Sequence, residues 1–117
     1  MSTVFRSRPF SRWLRRAGLT DAALLHAVGE MEQGLVDADL GGGVFKKRVA
    51  LPGRGKRAGA RTIVATRMGE CWFFLYGFEK NERANISSAE LKALQEYARI
   101  CWGWTQRSWL RSCPQER

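Results

Sequence analysis

The chain has 117 residues, 44% of them hydrophobic and 26% charged, enough for one compact domain with a modest core and not for two. A formal charge of +9 and a pI near 10.3 favour a polyanionic partner: nucleic acid, an acidic protein or an anionic membrane. Three cysteines (Cys71, Cys101, Cys113) without a CxxC pair argue against a disulfide scaffold, and no apolar run reaches the ~20 residues of a membrane span or forms a signal-peptide h-region.

Thr3–Arg6 is short and β-prone and is predicted as a first strand. Pro9 suits the first turn of a helix. Phe10, Trp13 and Leu14 fall at i, i+3 and i+4, so 9–17 is predicted as a short amphipathic helix stopped by Gly18. Thr20 is the expected N-cap of a second helix, with Asp21 where the helix dipole favours an anion. Leu24, Val28, Met31 and Leu35 repeat at helical spacing toward Gly34, a candidate stop. Gly41-Gly42-Gly43 breaks the chain. The period then shortens. Val44–Leu51 and Thr62–Thr66 are β-prone, Met68-Gly69-Glu70 resembles a tight turn, and Cys71–Phe78 is continuously apolar and aromatic, as in a central strand covered on both faces. Ser87-Ser88-Ala89-Glu90 matches a capping box, and Leu91, Leu94 and Cys101 carry a helix onward. The predicted order is β-α-α-β-β-β-α. This is an α+β domain: a small antiparallel sheet, two N-terminal helices packed on it and a C-terminal helix.

Charge is segregated along this order. Residues 1–19 hold five arginines and no acid, residues 20–43 five acids and no Lys or Arg, and residues 44–67 eight cations and no acid. A bare charge run is often only a solvated face. Here the mixture with glycines in LPGRGKRAGAR and the total lack of acids point to phosphate binding through Lys46, Lys47, Arg48, Arg54 and Arg57. GRGKRAG does not meet GxxxxGK[ST], so nucleotide binding by a P-loop is excluded.

The string GxRTIVAxxxGxxxFFLYGFxKNERANISxxELKAL runs from Gly59 to Leu94. It resembles the RelE/ParE-type toxins of bacterial type II toxin–antitoxin systems, nearest the RelE/HigB-like branch, as does VFKKRVALPGRGKRAGAR before it. The resemblance implies a RelE-like domain over 1–100, with 101–117 a divergent Trp- and Arg-rich tail that packs on the domain or meets a partner. It implies a cytoplasmic endoribonuclease that cuts mRNA on the ribosome and inhibits translation. It also implies a cognate antitoxin with a helix-turn-helix or an acidic segment, and contact with operator DNA only through that antitoxin. No membrane partner, cofactor or metal is expected. Two alternatives share the fold: a ParE-like inhibitor of DNA gyrase without nuclease activity, and a catalytically decayed basic binding domain.

Metal-free RNA cleavage requires deprotonation of a ribose 2′-OH, stabilisation of charge on the phosphoryl oxygens and protonation of the leaving 5′-oxygen. One histidine, His26, rules out a two-histidine mechanism. Guanidinium forks suit the phosphoryl oxygens, and a lysine among cations has its ammonium disfavoured. Lys56, between Arg54 and Arg57, is such a lysine. By the family motif, Arg61 is the phosphate clamp of the Gly-x-Arg-Thr strand entry, with Lys80 and Arg83 in the segment after the central strand. Two positions depart from the family pattern: Asn81 stands where studied members carry an arginine, and Ser87 near their catalytic tyrosine. Tyr76 is expected to be core, as are Trp72, Phe73, Phe74, Phe78 and Cys71. Ser87 is expected to cap a helix.

Overall fold

The computed structural model describes residues 3–51, 59–67, 71–80, 82, 85–101 and 110–111. In chain order the elements are β1 (Thr3–Arg6), α1 (Arg8–Ala17), α2 (Asp21–Glu32), β2 (Ala38–Gly41), β3 (Val44–Val49), β4 (Ala60–Arg67), β5 (Cys71–Glu79), α3 (Ser88–Cys101) and β6 (Leu110–Arg111). They form one sheet in the order β2-β3-β4-β5-β1-β6. The α+β class and the predicted elements are found, with β2 and β6 added. The sheet is antiparallel except at one place: β1 runs parallel to β5, from Thr3 opposite Cys71 to Arg6 opposite Phe74. A four-residue strand declares neither partner nor direction in its sequence, so mixed pairing was invisible there. The predicted 68–70 turn lies outside the described residues, as does most of the tail.

The helices begin and end where side chains satisfy their orphan backbone groups. Ser7 caps α1, its Oγ accepting from Phe10 N–H at 3.2 Å and donating to the Leu75 carbonyl at 3.1 Å. One hydroxyl thus starts the helix and fastens it to β5. Gly18 ends α1 in the left-handed conformation. Thr20 caps α2 through Ala23 N–H, and Ser87 and Glu90 make the reciprocal capping box that opens α3, at 3.1 and 2.8 Å. The three glycines 41–43 all have positive φ and turn β2 into β3. Gln95 of α3 seats on that turn, donating to the carbonyls of Leu40 and Gly41.

β5 divides the molecule into two layers. On one face α1 and α2 pack Phe10, Trp13, Leu14, Leu24, Val28 and Met31 against Val4, Val64, Trp72 and Phe74. Phe10 stands 5.4 Å from both Trp13 and Phe74, ring centre to ring centre. On the other face Phe5, Val44, Ile63, Ala65, Phe73, Leu75 and Phe78 gather beneath Leu91, Leu94, Tyr97 and Ala98 of α3. Alternation along β5 is interrupted once. Ile63 opposes Tyr76 while Val64 opposes Phe74, so Leu75 is an extra residue, a β-bulge. After it Tyr76 and Phe78 lie on the α3 face and Gly77 lies under Trp13.

Gly77 is required by that contact. A Cβ there would sit 2.5 Å from ring atoms of Trp13, which is itself buried. Gly77→Ala should therefore destabilise the fold by about 1–3 kcal/mol, as overpacking does. A urea midpoint equal to that of the parent would show that Trp13 has room to withdraw.

Candidate nucleic-acid interface

The two-residue period of a strand sends neighbouring cations to opposite faces. In β3, Val44 belongs to the α3-side core and Val49 to the α1/α2-side core. Lys46 and Arg48 share the face of Val44; Lys47 shares that of Val49. In β4, Arg61 shares its face with Ile63 and Ala65, again on the α3 side. The register then brings the cations together: Lys46 opposes Ile63, and Arg48 opposes Arg61, which in turn opposes Phe78 of β5. Directly opposed side chains have Cβ atoms about 4.5–5.5 Å apart. Like charges so placed repel, and this sheet carries such a pair at the end of β3 far from the Gly41–Gly43 turn. Lys80 follows β5 at that same end and is exposed.

The two arginines differ in their partners. Arg48 is held by Asp37, Nε to Oδ1 at 3.0 Å, while its backbone N–H donates to Oδ2 of the same carboxylate at 2.5 Å. Arg61 is half-buried, and its Nη1 is buried with no hydrogen-bond partner among the described residues. Leaving a buried polar group unsatisfied costs about 1–3 kcal/mol, and more for a charged one. A phosphate oxygen is the acceptor such a group lacks, and the fork geometry of guanidinium suits it.

Lys47 is placed apart from these. Its side chain is 5% exposed and its Nζ lies 2.9 Å from Oε1 of Glu30, on α2. The pair ties α2 to the sheet, and an outward RNA-binding position for Lys47 is not what the structure shows. The expected site residues Arg54, Lys56, Arg57 and Arg83 lie outside the described residues, as does Asn81. The structure therefore joins Lys46, Arg48, Arg61 and Lys80 at one face or end of the sheet and separates Lys47 from them.

Tyr76 is one side chain whose placement the strand pattern concealed. It is half-buried on the face of Arg61 and diagonal to it in the ladder, a separation of about 7–8 Å between positions. Its ring packs on Phe78 at 5.9 Å, and with Glu90, Ala93 and Leu94 it lines a shallow groove beside α3. The signal for this was the bulge at Leu75, which no periodicity announces. His26 is exposed on α2, in the other layer. Among the described residues no three of His, Cys, Asp and Glu cluster as a metal centre would need, and no helix is long and apolar enough to cross a membrane.

The family model described as the RelE toxin of the RelE / RelB toxin-antitoxin system matches residues 2–112. No curated protein matches the chain.

Stability measurements on three variants test these assignments. Arg61→Met removes an unsatisfied charged donor and should raise the unfolding free energy by about 1 kcal/mol. A loss of stability would mean that the guanidinium has partners in solution. Glu30→Ala strands the buried Lys47 ammonium and should cost about 3 kcal/mol, the lower end for a broken buried pair because Glu30 is 20% exposed. Lys47→Met should cost less, since Glu30 can turn to water.

Proposed function

Because the chain belongs to the RelE toxin family, we propose that it is a toxin that acts as an endoribonuclease on translated mRNA and is neutralised by a cognate antitoxin. The observation that carries this reading is Arg61: a guanidinium held at the rim of the core with a donor left over, facing the same way as Lys46 and Arg48. That is a cost to the fold unless an anion arrives.

In the proposed reaction the 2′-oxygen of a ribose attacks the adjacent phosphorus as its proton leaves to a base. The bond to the 5′-oxygen breaks, that oxygen takes up a proton, and a 2′,3′-cyclic phosphate remains. Arg61 donates to the non-bridging oxygens, where charge builds in the transition state. Lys46 and Arg48 bind flanking phosphates. Lys56, Lys80 and Arg83 are the candidates for proton transfer and for added phosphate contacts; the hydroxyl of Tyr76 joins them on geometric grounds. An acidic or extended antitoxin segment lying over the same face would satisfy these donors and exclude RNA. Operator DNA would be reached through the antitoxin alone.

Induction of the chain in bacteria, followed by mapping of mRNA 5′ ends, tests the proposal. New ends in frame with codons, absent when translation is blocked, are expected, and Arg61→Ala should lower cleavage about 100-fold, the scale for losing one transition-state donor. Growth arrest with intact mRNA and damaged DNA would replace ribonuclease with gyrase inhibition. Full toxicity of Arg61→Ala would remove Arg61 from the site.

A further inference from the structure

The outer face of α1 carries four arginines that the sheet-borne site does not use. Arg8, Arg12, Arg15 and Arg16 are all exposed. At 3.6 residues per turn they fall within an arc on the order of 100°, opposite the buried Phe10, Ser11, Trp13 and Leu14. None makes an ion pair among the described residues, and α1 contains no acid. The carboxylate nearest in sequence, Asp21, is already bound by Arg6.

Arg15 and Arg16 suit the C-terminal end of the helix dipole, but the rest of the arrangement works against the helix. Arg8 occupies the first turn, where the dipole favours an anion. Arg8 with Arg12, and Arg12 with Arg16, are like-charge pairs at i, i+4, each destabilising by about 0.2–0.5 kcal/mol. The ridge spans about 12 Å from Arg8 to Arg16. Beside it, between α1 and the end of β5, lies a cleft of about 410 Å³ lined by Arg12 and Arg16 together with Trp13, Tyr76, Phe78 and the carboxylate-bearing Glu82. Phe78 is the residue opposite Arg61, so the cleft starts where the first cationic face ends and opens onto the other layer.

The chemistry of the face selects its occupant. Every cation on it is arginine, the side chain whose planar fork matches phosphate oxygens. The cleft does present aromatic residues, but Trp13 and Phe78 are buried and Tyr76 half-buried, so they are recessed beneath the arginines, and the exposed large hydrophobics of the described residues, Leu25, Leu35, Val36 and Ile100, lie on other elements. A membrane-surface helix needs apolar side chains directed at lipid, and a protein interface needs an apolar centre. A phosphodiester backbone needs neither.

We propose that the outer face of α1 and the adjoining cleft form a second RNA-binding surface, which grips the backbone of RNA away from the bond that is cut. This extends the ribonuclease reading above, but binding there does not require cleavage. The test uses the full chain and a labelled single-stranded RNA fully 2′-O-methylated, which lacks the attacking hydroxyl. Its affinity is measured against salt for the parent, for Arg61→Ala and for the triple variant Arg8→Gln/Arg12→Gln/Arg16→Gln. Each lost phosphate contact lowers the slope of log K against log salt by about 0.7. The triple variant should lower it by about 2 and Arg61→Ala by less than 1, with the two effects additive. The triple variant should also melt at or above the parent temperature, because repulsion is relieved. An unchanged slope overturns the proposal, and so does a triple variant that loses polyglutamate binding while keeping RNA binding, which would mark a protein-docking face. A lower melting temperature would overturn the premise that the arginines are unpaired. If Arg61→Ala keeps full cleavage while the triple variant loses slope, the catalytic assignment fails and the α1 surface stands.

Discussion

Burial of β5 on both faces is the constraint from which the rest follows. Nine residues from Cys71 to Glu79 carry six large apolar or aromatic side chains, and water must be kept from both sides of the strand. α1 and α2 supply one cover and α3 the other. Once the strand is so enclosed, β4 is fixed beside it, β3 beside β4, and every residue of those strands is assigned a layer. The cations of β3 and β4 cannot choose their side. Lys47 must face α2, and Lys46, Arg48 and Arg61 must face away from it.

The acidic stretch between residues 20 and 43 acquires its meaning in three dimensions. Asp21 binds Arg6, Glu30 binds Lys47 and Asp37 binds Arg48. Each acid neutralises a cation from one of the two flanking basic stretches and so fastens a helix or a hairpin to the sheet. What remains uncompensated is then informative by subtraction: Arg61 on one layer and the arginines of α1 on the other. Both sets cost stability, one through an unsatisfied donor and one through mutual repulsion. Such local costs are commonly retained where function needs them.

Much of the fold was legible in the sequence because its signals are local. The caps Ser87 and Thr20, the stop at Gly18 and the apolar run of β5 each announce themselves within a few residues. β2 was not legible: the alternation of Ala38 and Leu40 with Asp39 and Gly41 is only four residues long, and it is a strand because β3 offers it a partner. The direction of β1 against β5 depends on residues 68 positions apart, such as Thr3 and Cys71. The site was half legible. Arg61 stands out by its motif, and only the strand register shows that it lies opposite Arg48. Sequence adjacency hides the alternation of faces that separates Lys47 from its neighbours, and Tyr76 does pack against the core, but the bulge at Leu75, which decides the layer it joins, cannot be seen in the sequence. The arginines of α1 were counted but not connected, since their alignment becomes a surface only when Phe10, Trp13 and Leu14 fix which side turns inward.

The bulge at Leu75 acts as a phase shifter. Upstream of it, odd-numbered positions of β5 look toward α3; downstream, even-numbered positions do. Were the bulge flattened with Leu75 kept in the ladder, Leu75 would oppose Ile63, the Phe78 ring would turn toward Trp13 and a glycine would stand across from Arg61. Lineages that vary freely in loop length should thus keep the far half of this strand in phase with β4, since a slip of one residue there would exchange the floor of the cationic face for the floor of the helical layer in a single step.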